Sequence, residues 1–395
     1  MQRHFWECDF RLKNSPEPNA KKTKVPSAKK ILVIRYRFIG DTILTVPFLR
    51  NLRSCYPEAQ IDVLVGPQSG EVLTGCPYIN NLIVYDTTRF HKYDSGAGKK
   101  KSFWSYVISL RKEKYDTAFV LKRSWSSALL ALLIGCKNRI GYATEGRQIV
   151  LTTSIPFDPH MHEVDSTLTV LTAANIPIKD RYLEGFISSS EHDQVQPYLQ
   201  NAQKKVLIHA AAAHPDKLYP LQSWAQIVRE LHDIHGFLPY FTGAAQDFEL
   251  YEQVQKLADV QGINLAGKLS LRQSMALYAG LDLAICTDSG PAHLAACVGT
   301  PTIAVFGPTD PVRWGPYEAL DKSRQLSSMV PVRETHNTIF ATTLVKNAAV
   351  FDETLPCRPC NYDKTCVDRP CLNELSPSVI IQKALALLKS ANESN

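Results

Sequence analysis

The chain has 395 residues, 45% of them apolar and 21% charged, with a formal net charge of +6. That balance is close to the globular average, which excludes a mostly disordered or fibrous chain, and the length is a prior for two or three domains. No apolar run approaches the roughly 20 residues of a membrane-spanning helix, and the opening MQRHFWECDF lacks the apolar core of a secretory signal, so a cytoplasmic protein is expected.

Residues 1–30 hold eight Lys/Arg against three acidic residues, so their +5 is nearly the whole net charge. The Pro-, Lys-, Ser- and Ala-rich stretch 14–30 reads as a disordered, solvated leader rather than a lipid- or nucleic-acid-binding arm. Next, ILVI is a short β-branched run of the kind a buried parallel strand uses, 42–55 is amphipathic at helical spacing, and IDVLVG is a second strand. NLIVYD and YDTAFVL repeat the strand pattern, ALLALLIG reads as a helix, and helical spacing returns in HMHEVDSTLTVLTAANI after NRIGYATEGR. A polar connection, 188–205, separates this block from a second one. There KKVLIHAAAA, FLPYFTGA, INLAG, LDLAICTDSG and PTIAVFG read as strands, interleaved with four helices, and SPSVIIQKALALLKS closes the chain with Ser376 as its cap.

Strands alternating with helices in two blocks imply an α/β chain of two doubly wound domains facing one cleft. The expected divisions are a leader over 1–30, domains over 31–190 and 191–375, and a closing helix over 376–395.

Two strand-to-helix loops carry candidate chemistry, because open α/β sheets bind ligands at the carboxyl ends of their strands. In the first, Arg35-Tyr36-Arg37-Phe38-Ile39-Gly40-Asp41, the Asp41 carboxylate could accept a proton from a bound hydroxyl; the plainer reading is a cap on a helix starting at Thr42. In the second, Asp288-Ser289-Gly290-Pro291-Ala292-His293, free N–H groups, the Ser289 hydroxyl and His293 would suit a phosphate, and Pro291 suits a first turn. Lys217, between a strand and a helix, could balance a diphosphate without a metal, and Asp247 stands where acidic residues often hold ribose hydroxyls. Each of these residues alone is equally at home in an ordinary structural role.

Taken together, ILVIRYRFIGDTILTVPFLRNLR, TGAAQDFE and LSLRQSMALYAGLDLAICTDSGPAHLAACVGTPTIAVFGPTDP resemble glycosyltransferase family 9, the ADP-heptose:lipopolysaccharide heptosyltransferases, over about 31–388. The resemblance implies a GT-B fold of two Rossmann-like domains, acceptor on the first and sugar nucleotide mainly on the second. It implies Asp41 as catalytic base, and Lys217, Asp247, Asp288, Ser289, Gly290 and His293 at the donor. HAAAAHPDK departs from the family, with alanines where a glycine is common beside the phosphates. The implied reaction is metal-independent, inverting transfer of a sugar, heptose foremost, with no D-x-D motif in a suitable loop and no cofactor beyond the nucleotide-sugar donor.

A glycolipid or oligosaccharide acceptor is expected, with Arg35, Arg37, Lys122 and Arg123 as its binding residues. Residues 86–123 carry ten Lys/Arg against four acidic residues, a patch suited to a phosphorylated glycolipid and to peripheral contact with the inner membrane face. No nucleic-acid partner is expected. An epimerase of the same plan, or a silent sugar-nucleotide-binding protein, remain the alternatives; Asp41 and Lys217 argue against silence. Of ten cysteines, Cys357, Cys360, Cys366 and Cys371 cluster. Tetrathiolate zinc is chemically reasonable there, but the spacing is tighter than common ribbons, so free thiols or a local disulfide are expected.

Overall fold

The structure, a computed structural model, describes residues 28–36, 38–86, 101–320, 344–345, 347–352, 354–362, 366 and 368–393. The leader through residue 27, Arg37 and the stretch 87–100 lie outside the described residues.

In β1 (Lys30–Ile34), Ile31 and Val33 enter one apolar cluster while Leu32 and Ile34 enter another on the opposite side, as the strand period of two requires. The helix expected over 42–55 is two helices, α1 (Ile39–Ile43) and α2 (Val46–Cys55). Pro47 lies in the first turn of α2, where its missing N–H is harmless, but a helix running unbroken through it would leave the Ile43 carbonyl without a donor. β2 (Gln60–Val65), β3 (Asn81–Val84), α3 (Phe103–Lys112), β4 (Thr117–Val120), α4 (Trp125–Leu133), β5 (Asn138–Tyr142) and β6 (Thr153–Ile155) follow, and α5 (Glu163–Ala173) packs on α2. The six strands are parallel, in the order β3-β2-β1-β4-β5-β6.

The stretch 188–205, read as a polar connection, contains α6 (Ser189–Leu199). Its polar composition and Pro197 conceal the period, since Val195 is its one fully buried residue among those described. The start is nonetheless encoded: Ser188 Oγ accepts from Glu191 N (3.3 Å) and the Glu191 carboxylate accepts from Ser188 N (2.8 Å), a reciprocal capping box.

The second block runs β7 (Lys204–His209), α7 (Leu221–Asp233), β8 (Phe237–Phe241), α8 (Phe248–Ala258), β9 (Ile263–Asn264), α9 (Leu271–Ala279), β10 (Leu283–Thr287), α10 (Gly290–Cys297), β11 (Thr302–Val305), α11 (Pro311–Trp314), β12 (Ala319–Leu320), β13 (Leu344–Val345), β14 (Ala348–Val350), α12 (Pro370–Asn373) and α13 (Pro377–Glu393). Its parallel sheet is ordered β14-β11-β10-β7-β8-β9, the same winding as the first, while β12 and β13 pair separately. Ile380, Ile381, Ala384 and Leu387 of α13 cover this sheet. Ser376, expected to cap α13, has its hydroxyl 2.7 Å from Ser378 Oγ. One apolar cluster spans both blocks, joining Ile31, Val33 and Phe48 to Leu207, Tyr240 and Leu294. Across the boundary α6 lies on α9, and Arg272 of α9 pairs with Glu191 (2.6 Å) and donates to the Thr74 carbonyl (2.9 Å).

In each sheet the winding reverses beside its first strand, between β1 and β4 and between β7 and β10. The loops leaving β1, β7 and β10 therefore emerge at switch points, where a crevice opens. Because α6 depends on its capping box for a clean start, Ser188→Ala should lose about 1 kcal/mol of stability, read as a lower urea midpoint. An unchanged midpoint would show that the box contributes nothing.

Candidate functional site

At the first switch point the chain leaves β1 through Arg35 and Tyr36 and enters α1 at Ile39, so Asp41 is the third residue of a helix rather than the cap before one. α1 has no side-chain cap, and the Asp41 carboxylate is left for other partners. The nearest is Arg35, whose Nη2 lies 3.4 Å from Asp41 Oδ1 and whose Nε donates to the Asp41 carbonyl (3.2 Å). Arg35 is 5% exposed; its remaining donors go to Leu121 O (3.2 Å) and Glu163 Oε1 (2.7 Å). It was expected on the acceptor, yet burial and these bonds place it beneath Asp41. Lys122 and Arg123 are half-buried after β4. Lys122 Nζ donates to Tyr36 O (3.2 Å) above the Tyr36 ring, and Arg123 lies 3.2 Å from Glu163 Oε2 with its guanidinium 4.1 Å from the Phe157 ring centre. Arg37 is outside the described residues.

At the second switch point, Lys217 follows β7 in a short 3-10 turn and reaches Asp288 at the end of β10. Its Nζ is 2.7 Å from Asp288 Oδ2 and 3.1 Å from the Asp288 carbonyl, and Thr309 donates to the same carboxylate oxygen. The lysine charge is thus already balanced by Asp288 and held at the start of α10. Ser289 is the N-cap of α10 by backbone, but its hydroxyl donates back to Thr287 O (3.1 Å), leaving the first-turn N–H groups without a side-chain cap. Asp247 folds over Gly243, accepting from Ala244 N (2.8 Å); a Cβ on Gly243 would meet its Oδ2 at 2.5 Å.

His293 is buried on α10, and its Nδ1 has no hydrogen-bond partner among the described residues. Burial pushes its pKa down to about 4 against the pull of Asp288, so the ring is neutral near pH 7. The same ring lies against α1: a Cβ on Gly40 would stand 2.7 Å from His293 Cδ2, and one on Gly290 would touch Ile39 at 3.5 Å. The helix carrying Asp41 and the helix carrying Ser289, Gly290 and His293 therefore abut, and the two switch points become one site.

Three site residues escaped the sequence reading. Glu163, the first residue of α5, has no solvent exposure and sits among Arg35, Arg123 and Arg313, the last from α11 in the second block. These cations hold its carboxyl below the usual range despite burial. Asp41 moves the other way: burial raises its pKa, Arg35 opposes, and repulsion from Glu163 adds to the rise, with Arg123 and Lys122 opposing more weakly. His162 Nε2, 3.0 Å from Gly315 O, is a second bond across the blocks. His162 also caps α5, its Nδ1 accepting from Val164 N (3.1 Å), but nothing local in HMHEVDS signals the contacts across the blocks, because those partners are remote in sequence.

The cysteine-rich segment packs beside the second switch point. Arg358 Nε donates to Gly307 O (2.7 Å), Asn361 N to Pro308 O (2.9 Å), and the Tyr362 ring lies 4.3 Å from that of His214. Cys357, Cys360, Cys366 and Cys371 are free thiols, so the local disulfide is not formed, and no metal-holding group occurs among the described residues.

His209, likewise buried, is also pushed down to about 4. The unfolded chain takes up both protons near pH 6.5, whereas the folded protein resists until about 4, so stability should fall as pH drops from about 6.5 to 4 and level off above that window. Urea titrations across this range test it: His293→Gln should flatten the slope, and an unaltered slope would contradict the burial argument.

The sequence profile of glycosyltransferase family 9 (heptosyltransferase) matches residues 103–338. Lipopolysaccharide core heptosyltransferase OpsX of Haemophilus influenzae is 26% identical over 305 residues, covering 74% of this chain and 83% of the relative. A family 9 glycosyl transferase from Veillonella parvula superposes with a TM-score of 0.74 at 22% identity, covering 92% of this chain and 98% of that one. E. coli ADP-heptose lps heptosyltransferase II does so with a TM-score of 0.66 at 21% identity, covering 92% and 99%. Two parallel sheets wound alike around facing switch points are the two-domain GT-B fold of these structures, and the chain belongs to glycosyltransferase family 9.

Proposed function

We propose that this glycosyltransferase moves heptose from ADP-heptose to a lipopolysaccharide-type acceptor, with Asp41 as general base and inversion at the anomeric carbon. The observation that carries the reading is the abutment of α1 on α10, which brings a carboxylate close to a helix start without a side-chain cap. The heptosyltransferase names of the relatives support the sugar and the acceptor class.

In this reading the acceptor binds on the 31–190 side, with Lys122 and Arg123 drawing its phosphates, and the donor on the 191–375 side. Asp41 accepts the proton of the acceptor hydroxyl as that oxygen attacks the anomeric carbon. The bond to the diphosphate breaks on the opposite face, through a transition state with oxocarbenium character. Burial serves this role, because a carboxylate with a raised pKa is the stronger base. Charge grows on the departing diphosphate, where Lys217, the Ser289 hydroxyl and the Gly290 N–H at the start of α10 stabilise it without a divalent cation. Neutral His293 offers one ring N–H as a further donor, Asp288 holds Lys217 in place, and Asp247 accepts from the ribose. A lipid-anchored acceptor requires peripheral contact with the cytoplasmic membrane face; no described helix is long and apolar enough to cross a membrane.

Incubation with ADP-heptose and a phosphorylated core acceptor, in EDTA, should add one heptosyl mass to the acceptor and release ADP. Asp41→Asn should lower turnover by roughly 10²–10⁴-fold with the melting curve unchanged. Near wild-type turnover by that variant, or dependence on an added cation, would contradict the scheme. Gly40→Ala tests the abutment: its methyl group would press on a buried ring, and displacing Asp41 should cost roughly ten- to a hundredfold in kcat. Full activity of that variant would show that the close approach is dispensable.

A further inference from the structure

Glu163 turns one oxygen to the first block and shares the other between both blocks. Oε1 accepts from Arg35 (2.7 Å), the guanidinium that also faces Asp41 at 3.4 Å. Oε2 accepts from Arg123 (3.2 Å) and from Nη2 of Arg313. Arg313 stands on α11, directly after β11 of the second sheet, and also donates to the carbonyls of Asp158, Pro159 and Met161 at 3.3–3.4 Å. A continuous chain of charge contacts thus runs from the second block through Arg313, Glu163 and Arg35 to Asp41.

We propose that Glu163 is a positioning residue that couples the seating of the second block to the charge state of Asp41. The proposal rests on the reading of Asp41 as the transfer base. The groups facing the Glu163–Asp41 pair are Arg35 after β1, Lys122 and Arg123 after β4, Tyr142 on β5, His162 before α5, His293 on α10 and Arg313 on α11. Of these, Arg313 is the one that brings a charge from the second block, since His293 is neutral.

The physics gives the two acidic residues opposed interests. Glu163 repels the Asp41 anion and competes with it for Arg35; Arg313 neutralises that competitor. With Arg313 seated, Asp41 ionises more easily and its carboxylate is ready for the acceptor proton. With Arg313 withdrawn, Glu163 keeps only Arg35 and Arg123, and its less compensated charge bears on Asp41 and keeps it protonated to higher pH. The transfer base would then be fully competent only when the donor block is docked, which protects against proton abstraction without a sugar in place.

Removing the two partners should therefore move Asp41 in opposite directions, which a merely structural ion cluster would not do. The test is the pH dependence of kcat for wild type, Arg313→Met, Arg313→Lys and Glu163→Gln, with the same donor and acceptor so that substrate titrations cancel. The acid limb should move up by roughly one pH unit in Arg313→Met and down by a similar amount in Glu163→Gln, with Arg313→Lys near wild type. KM for the donor should change little, and melting curves identify folded variants; if Glu163→Gln does not fold, the two Arg313 variants carry the test. Limbs that move together, or stay fixed while kcat falls uniformly, would overturn the coupling. Asp41→Asn run alongside separates the two failures: retained turnover would remove the base itself, whereas abolished turnover with unmoved limbs would remove the coupling alone.

Discussion

A carboxylate without access to solvent must find its compensation inside the protein, and Glu163 finds it in three arginines drawn from separate parts of the fold. An isolated buried charge would be strongly destabilising, so these partners are required rather than incidental. That requirement fixes where α5 begins, holds Arg35 beneath α1, and ties α11 of the second block to the first. The same cluster sets the environment of Asp41, which must share Arg35 with a more deeply buried competitor. Packing at the boundary and chemistry at the cleft therefore depend on one set of ion pairs.

The two sheets supply the rest by repetition. Each is wound in the same order, so each opens a crevice beside its first strand, and the facing crevices are specialised differently. The first presents a carboxylate with a raised pKa; the second presents an uncapped helix start, a lysine held by an aspartate and a neutral histidine. Gly40 and His293 set how closely these can approach, because the histidine ring occupies the space a side chain would need. Lys217 illustrates the balance at the second crevice. A free ammonium would bind phosphate more strongly, whereas one shared with Asp288 is oriented and can give up its partner gradually as charge develops.

Much of this architecture was legible in the sequence. Strands such as ILVI and LAIC are fully buried, and their apolar residues alternate between two clusters, so short β-branched runs were a reliable sign. The strand-to-helix transitions that carry Asp41 and Asp288 were placed correctly, although α1 begins at Ile39, two residues before Asp41. Other features were hidden for identifiable reasons. Pro47 split a helix that amphipathicity had joined, and α6 carried too few apolar residues to show a period although its capping box was present. Arg35 was expected on the acceptor because burial cannot be read from a loop. Glu163 left no local trace, since its partners lie 128, 40 and 150 residues away.

In the proposed transfer the two switch points form one site, with the leaving group at the start of α10 and Asp41 on the far side of the anomeric carbon. A crystal structure with a non-transferable donor analogue tests it most directly. The diphosphate should lie against Lys217 and the Gly290 N–H at the start of α10, with the Asp41 carboxylate facing the anomeric carbon opposite the phosphate bond. A diphosphate bound elsewhere, or an Asp41 carboxylate turned wholly into Arg35 and away from the sugar, would contradict it.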